Sequence, residues 1–276
     1  MSAKVSIELA LLGQILVLAE DESTSSEHLS ATVANSPMLA ASVVRVSNSA
    51  LYGMEGRVAR LERAVLVLGV RTVASIASTV LVATSLRARA IGGVASDAIF
   101  LHSLEVGICA QLLAKRLRVH PDSEAYLAGL LHDMGMSELE EKHGDAYAAV
   151  VERSVREQRP LADVEREAFG DSHATLLAAS ARGWGFPEKL QDVLGHHHDP
   201  ASAPEASRQS ASLVHAAHII LAAENKGWSD FMPSEQDGAF LEGLGITSDE
   251  AAEVHTTARQ KLEEAAATFG QAMGDA

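Results

Sequence analysis

His132 and Asp133 stand side by side at the end of an apolar run, Ala128-Gly129-Leu130-Leu131-His132-Asp133-Met134-Gly135-Met136. An imidazole and a carboxylate at one helix terminus can hold a metal, and they can equally bond to each other and to backbone groups. The other histidines bear on that choice. His102, His173, the triplet His196-His197-His198 and His218 each fall on, or at the end of, a segment with helical periodicity. Helices that converge in a bundle bring inward-facing side chains from distant positions to one centre. The candidate ligand set is therefore His102, His132, Asp133, His173, His197, His198 and His218, with His196 as an alternative within the triplet. Imidazole and carboxylate donors suit a divalent transition metal, Zn, Mn, Fe, Co or Ni, and do not choose among them. If these groups meet, the chemistry expected is activation of a water for attack on a phosphoryl group, with Asp133 able to bridge two metals.

Each histidine taken alone also has a plainer explanation. His102, near the start of an apolar helix, reads equally well as a core histidine, and His173 as an early helix residue bonded to its own cap. His218 follows Ala216-Ala217 and suits a buried, hydrogen-bonded imidazole; His215, one turn earlier, suits that role better still. The triplet is harder to treat this way, because three imidazoles at one helix end repel when protonated and are costly to desolvate. His28, His120, His143 and His255 have polar neighbours in the sequence and are expected to face solvent.

The elements that must position these groups read as helices throughout. Leu127, Leu130, Leu131 and Met134 recur at i, i+3, i+4 and i+7, which predicts a buried stripe on the helix that ends at His132. The same periodicity predicts helices from Ile7 to about Ala19, from Pro37, over 61–68, over 71–89 and over 97–117. Further helices are expected through Ala181 after an Asp171-Ser172 cap, from a Phe186-Pro187-Glu188 start to the histidine triplet, over 210–224 and over 248–269. The stretch from Glu138 to Gln158 is more polar and is expected on the surface. Gly92-Gly93 marks the expected boundary between lobes. The domain reading is an N-terminal helical lobe over 1–93, a second helical lobe over 94–224 and a C-terminal helical extension over 225–276. Aromatic residues are 4% of the chain, and alanine is abundant, in keeping with an all-α fold.

Composition removes several classes of function. The formal net charge of −15 and the lack of any basic run argue against nucleic acid and against an anionic membrane surface as partners. No segment reaches the roughly 18 to 20 consecutive apolar residues of a membrane span, and the N-terminus has no export-signal pattern. The single cysteine, Cys109, lies in an apolar helical pattern; it excludes an internal disulfide and fits a reducing compartment. A cytoplasmic protein is expected.

Several blocks, in order, resemble a known family. Ser36-Pro37-Met38-Leu39, Arg45-Val46-Ser47-Asn48-Ser49-Ala50-Leu51-Tyr52-Gly53 and Ala64-Val65-Leu66-Val67-Leu68-Gly69 are similar to three successive blocks of the HDOD, or HD-related output domain, group of bacterial signalling proteins. In the second lobe His102-Ser103, the Leu127 to Gly135 run, His173-Ala174, Trp184-Gly185-Phe186-Pro187 and His197-His198-Asp199-Pro200 resemble the HD part of that fold. The resemblance spans roughly residues 8–224. It implies an all-α protein in two lobes, the second related to HD phosphohydrolases.

Departures from the HD pattern shape the functional expectation. Where HD phosphohydrolases carry a final aspartate ligand this chain has His218, which can ligate but cannot bridge as a carboxylate does. Where they commonly carry lysine it has Met136, and the Gly-Tyr-Pro block of cyclic-di-GMP phosphodiesterases is missing after His198. The resemblance thus implies a non-catalytic signalling output or scaffold module with a degenerate HD site that binds a metal or a nucleotide and acts on a signalling protein partner. The alternative is a metal-dependent phosphohydrolase acting on a nucleotide or cyclic dinucleotide. A helical adaptor whose histidines never converge is a third reading.

Overall fold

The computed structural model describes residues 3–54, 56–86, 90–120, 122–222 and 232–274. The helices, in chain order, are α1 (Ala3–Glu20), α2 (Ser26–Val33), α3 (Pro37–Ser47), α4 (Leu61–Leu68), α5 (Val70–Leu86), α6 (Ser96–Arg116), α7 (Asp122–Leu131) and α8 (Gly135–His143). They continue with α9 (Asp145–Glu157), α10 (Leu161–Phe169), α11 (His173–Gly183), α12 (Glu188–His196), α13 (Glu205–Ala222), α14 (Asp237–Gly243) and α15 (Ser248–Gly274). Among the described residues there is no strand, only a two-residue bridge between Ile91 and Val94 that closes the Gly92-Gly93 turn. The fold is all-α.

Side-chain caps set where some of these helices begin. Ser25 and Ser36 accept from the backbone N–H groups of His28 and Leu39, with Pro37 at the first helical position of α3. Ser172 forms a capping box with Thr175 and so fixes His173 as the first residue of α11.

The chain is built around α6. Its side chains from Ile99 to Ala114 are almost all buried, and it packs against α5, α7, α13 and α15. It is also the one helix, among the described residues, long and apolar enough to cross a membrane. However, 72% of its apolar window is buried inside the fold, so core packing accounts for that apolarity. Helices α1 to α5 pack on one another on one side of α6 and α7, and α15 returns to lie against α6, α13, α3 and α5. Cys109 is buried as a free thiol.

Close backbone approaches lock this arrangement. At the α6–α7 crossing Gly107 meets Gly129 so closely that a Cβ on Gly129 would stand 2.8 Å from the Gly107 Cα. Gly135 at the start of α8 lies directly under the His173 carbonyl, and Gly13 of α1 under that of Trp184. Side chains at these points would force the helices apart.

One segment differs from the sequence expectation. The stretch from Glu138 to Gln158 forms α8 and α9, and Leu139, Tyr147, Val150 and Val151 from it are core. Its polar residues outnumber the apolar ones, yet the strip Tyr147, Val150 and Val151 suffices to dock α9, while Leu139 anchors α8. The expected boundary after residue 224, the end of the preceding helix at Glu224, and Arg89 at the end of the 71–89 helix lie outside the described residues.

Candidate metal centre

Five elements deliver the candidate ligands to one point. α6 carries His102; the turn Leu131–Gly135 between α7 and α8 carries His132 and Asp133; α11 begins with His173. His197 and His198 follow α12, and α13 carries His218. His102, His132, Asp133, His173, His197 and His218 are all buried, between 0% and 5% exposed, and His198 is half-buried. The stripe Leu127, Leu130, Leu131 and Met134 is buried as expected, which drives the turn bearing His132 and Asp133 into the interior.

The seven residues sort into two groups around one carboxylate. Donor atoms of His102, His132 and His218 lie within 4.8 Å of one another, as do those of His173, His197 and His198. Asp133 stands between them. Its Oδ2 is 3.1 Å from His132 Nε2 and 3.6 Å from His102 Nε2, while its Oδ1 is 3.6 Å from His173 Nε2. Neither oxygen accepts a hydrogen bond, although the residue is 1% exposed. Burying a carboxylate without hydrogen-bond donors is costly, and a cation bound beside it would offset that cost.

Hydrogen bonds orient the imidazoles. His132 Nδ1 lies 2.6 Å from the Gly129 carbonyl and His197 Nδ1 2.8 Å from that of Leu194. A carbonyl only accepts, so each Nδ1 carries a proton and each ring turns Nε2, the nitrogen left to bind a metal, towards the centre. His173 is set in the same way by a carboxylate: Nδ1 donates to Glu165 Oε2 at 2.7 Å, and the His173 backbone N–H donates to the same oxygen at 2.8 Å. Tyr147 donates its hydroxyl to Glu165 Oε1 at 2.7 Å.

Facing nitrogens approach closely. His218 and His132 bring their Nε2 atoms to 3.0 Å, and His198 and His173 to 2.9 Å. Two nitrogens bound to one tetrahedral zinc at its usual bond lengths stand about 3.4 Å apart, so a few tenths of an ångström of adjustment would seat an ion. The donor set, its orientation and the buried carboxylate fit a divalent transition metal, and the paired grouping fits two.

The triplet divides by role. His197 and His198 point to the centre, while His196 binds the Asp192 carbonyl through Nδ1 at 2.8 Å. His215 binds the His197 carbonyl at 3.0 Å and stacks edge-on against Phe240. His28 and His120 are exposed as expected. His143 and His255 are half-buried instead, His143 stacking on Phe169 at 3.9 Å between ring centroids. Sequence reasoning missed Glu165 and Tyr147. Glu165 is an acidic residue on the buried side of α10, beside Leu161, Ala162 and Val164, and that misplaced charge was the available signal.

A pocket of about 430 Å³ opens beside His198. Asp199, His215, Asp163 and Arg166 line it, so its wall holds one guanidinium. Met136 is fully buried and supplies no polar group there.

Comparison with known proteins agrees with this architecture. An HDOD domain protein of unknown function from Geobacter sulfurreducens superposes with a TM-score of 0.77 at 21% identity, over 95% of this chain and 91% of that one. A protein assigned as a phosphohydrolase from Shewanella amazonensis SB2B gives 0.70 at 22% identity, over 99% of both chains. A third, assigned to signal transduction, from Marinobacter aquaeolei VT8, gives 0.77 at 22% identity over 95% of this chain and 58% of that one. At these identities the likeness is one of fold. Ribonuclease Y of Thermus thermophilus is 33% identical over 122 residues, which is 44% of this chain and 16% of that protein's length. The HDOD domain model matches residues 10–200, a span that takes in the blocks around Asn48 and Gly69 as well as His102, Asp133 and the histidine triplet. The chain belongs to the HDOD domain family.

Proposed function

We propose that this chain is a signal-transduction output module whose histidine and aspartate cluster holds divalent transition metal as a structural centre, and that it acts through contact with a signalling protein partner. The observation that carries the reading is Asp133, a buried carboxylate with one oxygen turned to each group of three imidazoles and no hydrogen bond to either. His102, His132 and His218 would hold one ion and His173, His197 and His198 the other, with Asp133 shared. Each ion would then have four protein ligands. Four is the closed set of a structural zinc site, whereas catalytic zinc sites keep three and leave a position open. The absence of a lysine at Met136 and the imidazole of His218 in place of a bridging carboxylate point the same way. The buried thiol of Cys109 suits a reducing, cytoplasmic setting.

The pocket beside His198 favours a second reading, a metal-dependent phosphohydrolase. A divalent metal bound there would supply Lewis acidity towards a phosphoryl oxygen. Arg166, which pairs through one guanidinium nitrogen with Asp163 at 2.5 Å, would offer its remaining N–H groups to a phosphate in the pocket, and His198 and His215 line the wall against which a nucleotide or cyclic dinucleotide would rest.

Elemental analysis of protein purified without a histidine tag, followed by a hydrolysis screen on nucleotides and cyclic dinucleotides with added Mn or Ni, separates these readings. The expected result is bound metal that disappears in His132→Ala, with no turnover. Turnover abolished by the same substitution moves the protein to the second reading. Failure to bind any divalent transition metal overturns both.

A further inference from the structure

A second cavity lies away from the histidines, and the block Asn48-Ser49-Ala50-Leu51-Tyr52-Gly53 helps to build it. Its volume is about 450 Å³, within the roughly 300 to 1,000 Å³ of small-molecule sites. Four helices and one turn converge on it. Leu104, Ile108, Gln111 and Lys115 recur along one face of α6, and Lys261, Ala265 and Phe269 along one face of α15. α5 adds Arg71, Thr72 and Ser75, α7 adds Tyr126, and the turn adds Leu51 and Tyr52.

The chemistry of the walls is graded. The inner part is apolar: Leu104, Ile108, Tyr126 and Phe269 are buried. The Tyr126 hydroxyl is already satisfied by Thr79 Oγ1 at 2.7 Å, so its ring faces the cavity as an apolar surface. The rim is cationic, with Arg71, Lys115 and Lys261 all exposed. Among the described residues no Asp or Glu lines the cavity, in a chain whose acidic residues outnumber Lys and Arg by 37 to 22. Three cations around an aromatic and aliphatic floor are therefore a local reversal of the molecule's charge.

The turn wall is held by a dedicated residue. Asn48 donates through Nδ2 to the Val44 and Val58 carbonyls at 3.0 and 2.6 Å, and accepts from the Val58 backbone N–H at 2.9 Å. These bonds fix both ends of the loop that presents Leu51 and Tyr52, and Gly53 ends the turn at φ 63°. The loop is thus pinned from outside while its side chains face the cavity.

We infer that this cavity binds a phosphorylated ligand with a planar ring, a mononucleotide, its base against Tyr52, Tyr126 and Phe269 and its phosphates between Arg71, Lys115 and Lys261. Flat rings pack on aromatic side chains, and charge-assisted hydrogen bonds hold phosphate oxygens. The site touches α15, α6 and the turn at once, so a bound nucleotide would fasten the C-terminal helix to the first lobe. The inference is independent of what the histidine cluster holds.

Calorimetric titration of the full chain with ATP and GTP, with inorganic triphosphate and phosphatidylglycerol vesicles as comparison probes, tests it. Saturable nucleotide binding is expected, weakened about tenfold or more by Lys261→Glu or Arg71→Glu, as loss of a hydrogen bond to a charged group implies. Both positions are exposed, and an unchanged far-UV circular dichroism spectrum and Tm in each variant would show that the fold is retained. No binding of either nucleotide would overturn the inference, as would equal affinity in both variants. Triphosphate binding as tightly as ATP would also overturn it by removing the ring's contribution, and binding to vesicles alone would overturn it by assigning the cations to a membrane headgroup.

Discussion

His173 donates through Nδ1 to Glu165 at 2.7 Å with both side chains fully buried. Glu165 in turn is held by Tyr147 and by the His173 backbone N–H. Carboxylates placed behind a ligand histidine fix its ring and raise its basicity, and their loss typically lowers metal affinity about 10- to 100-fold. Glu165→Gln is expected to fall in that range by competition against a calibrated chelator, with the His102 group less affected. Unchanged affinity would remove Glu165 from the centre.

Tyr147→Phe removes only the hydroxyl that donates to Glu165 Oε1. A buried acceptor without its donor costs about 1 to 3 kcal/mol. The midpoint of urea unfolding should fall accordingly, with the slope of the transition unchanged.

Metal should stabilise the fold by mass action. At a free concentration one hundred times Kd the gain is about 2.7 kcal/mol, which for a chain of this size raises Tm by about 5 to 10 °C. The shift should reverse with chelator and be absent in His132→Ala. A Tm indifferent to chelator would mean that the cluster holds no ion.

Gly135 lies too close to the His173 carbonyl for any side chain. Gly135→Ala should cost about 1 to 3 kcal/mol by overpacking and displace the start of α11. Metal stoichiometry then reports the consequence: with His173 moved, one of two ions is lost while the His102, His132 and His218 group keeps its own.

Glu138 provides a pH signature. Burial raises its carboxyl above the ordinary glutamate value of 4.5, opposed by the hydrogen bond from Ser180 at 2.6 Å. The native state therefore binds this proton more tightly than the unfolded chain does. The sign follows from linkage: the associated stability is complete below pH 4.5 and is lost as pH rises to the raised native value. Glu138→Gln should flatten that part of the urea midpoint profile, measured from about pH 4 to 7.

Much of this architecture was legible in the sequence because helices declare themselves locally. The stripe Leu127 to Met134, the start of α3 at Pro37 and the cap at Ser172 act over one or two turns, and each is where the pattern placed it. The candidate histidines were visible as a set but not as two groups of three, since which imidazole meets which depends on helix crossings that leave no periodic trace. Glu165 showed only as a charge out of place beside Leu161, Ala162 and Val164, because its partners His173 and Tyr147 lie 8 and 18 residues away. The region from Glu138 to Gln158 misled because composition averages over a helix whose buried strip is narrow.

Gly107 and Gly129 touch backbone to backbone, with no side chain between them to flex. α6 and α7 are in effect welded there into a single stiff spar, with His102 and His132 five and three residues from the weld. Tension applied through α6 from its C-terminal half, where Lys115 lines the second cavity, would travel along that spar to the imidazoles with little lost to soft packing on the way.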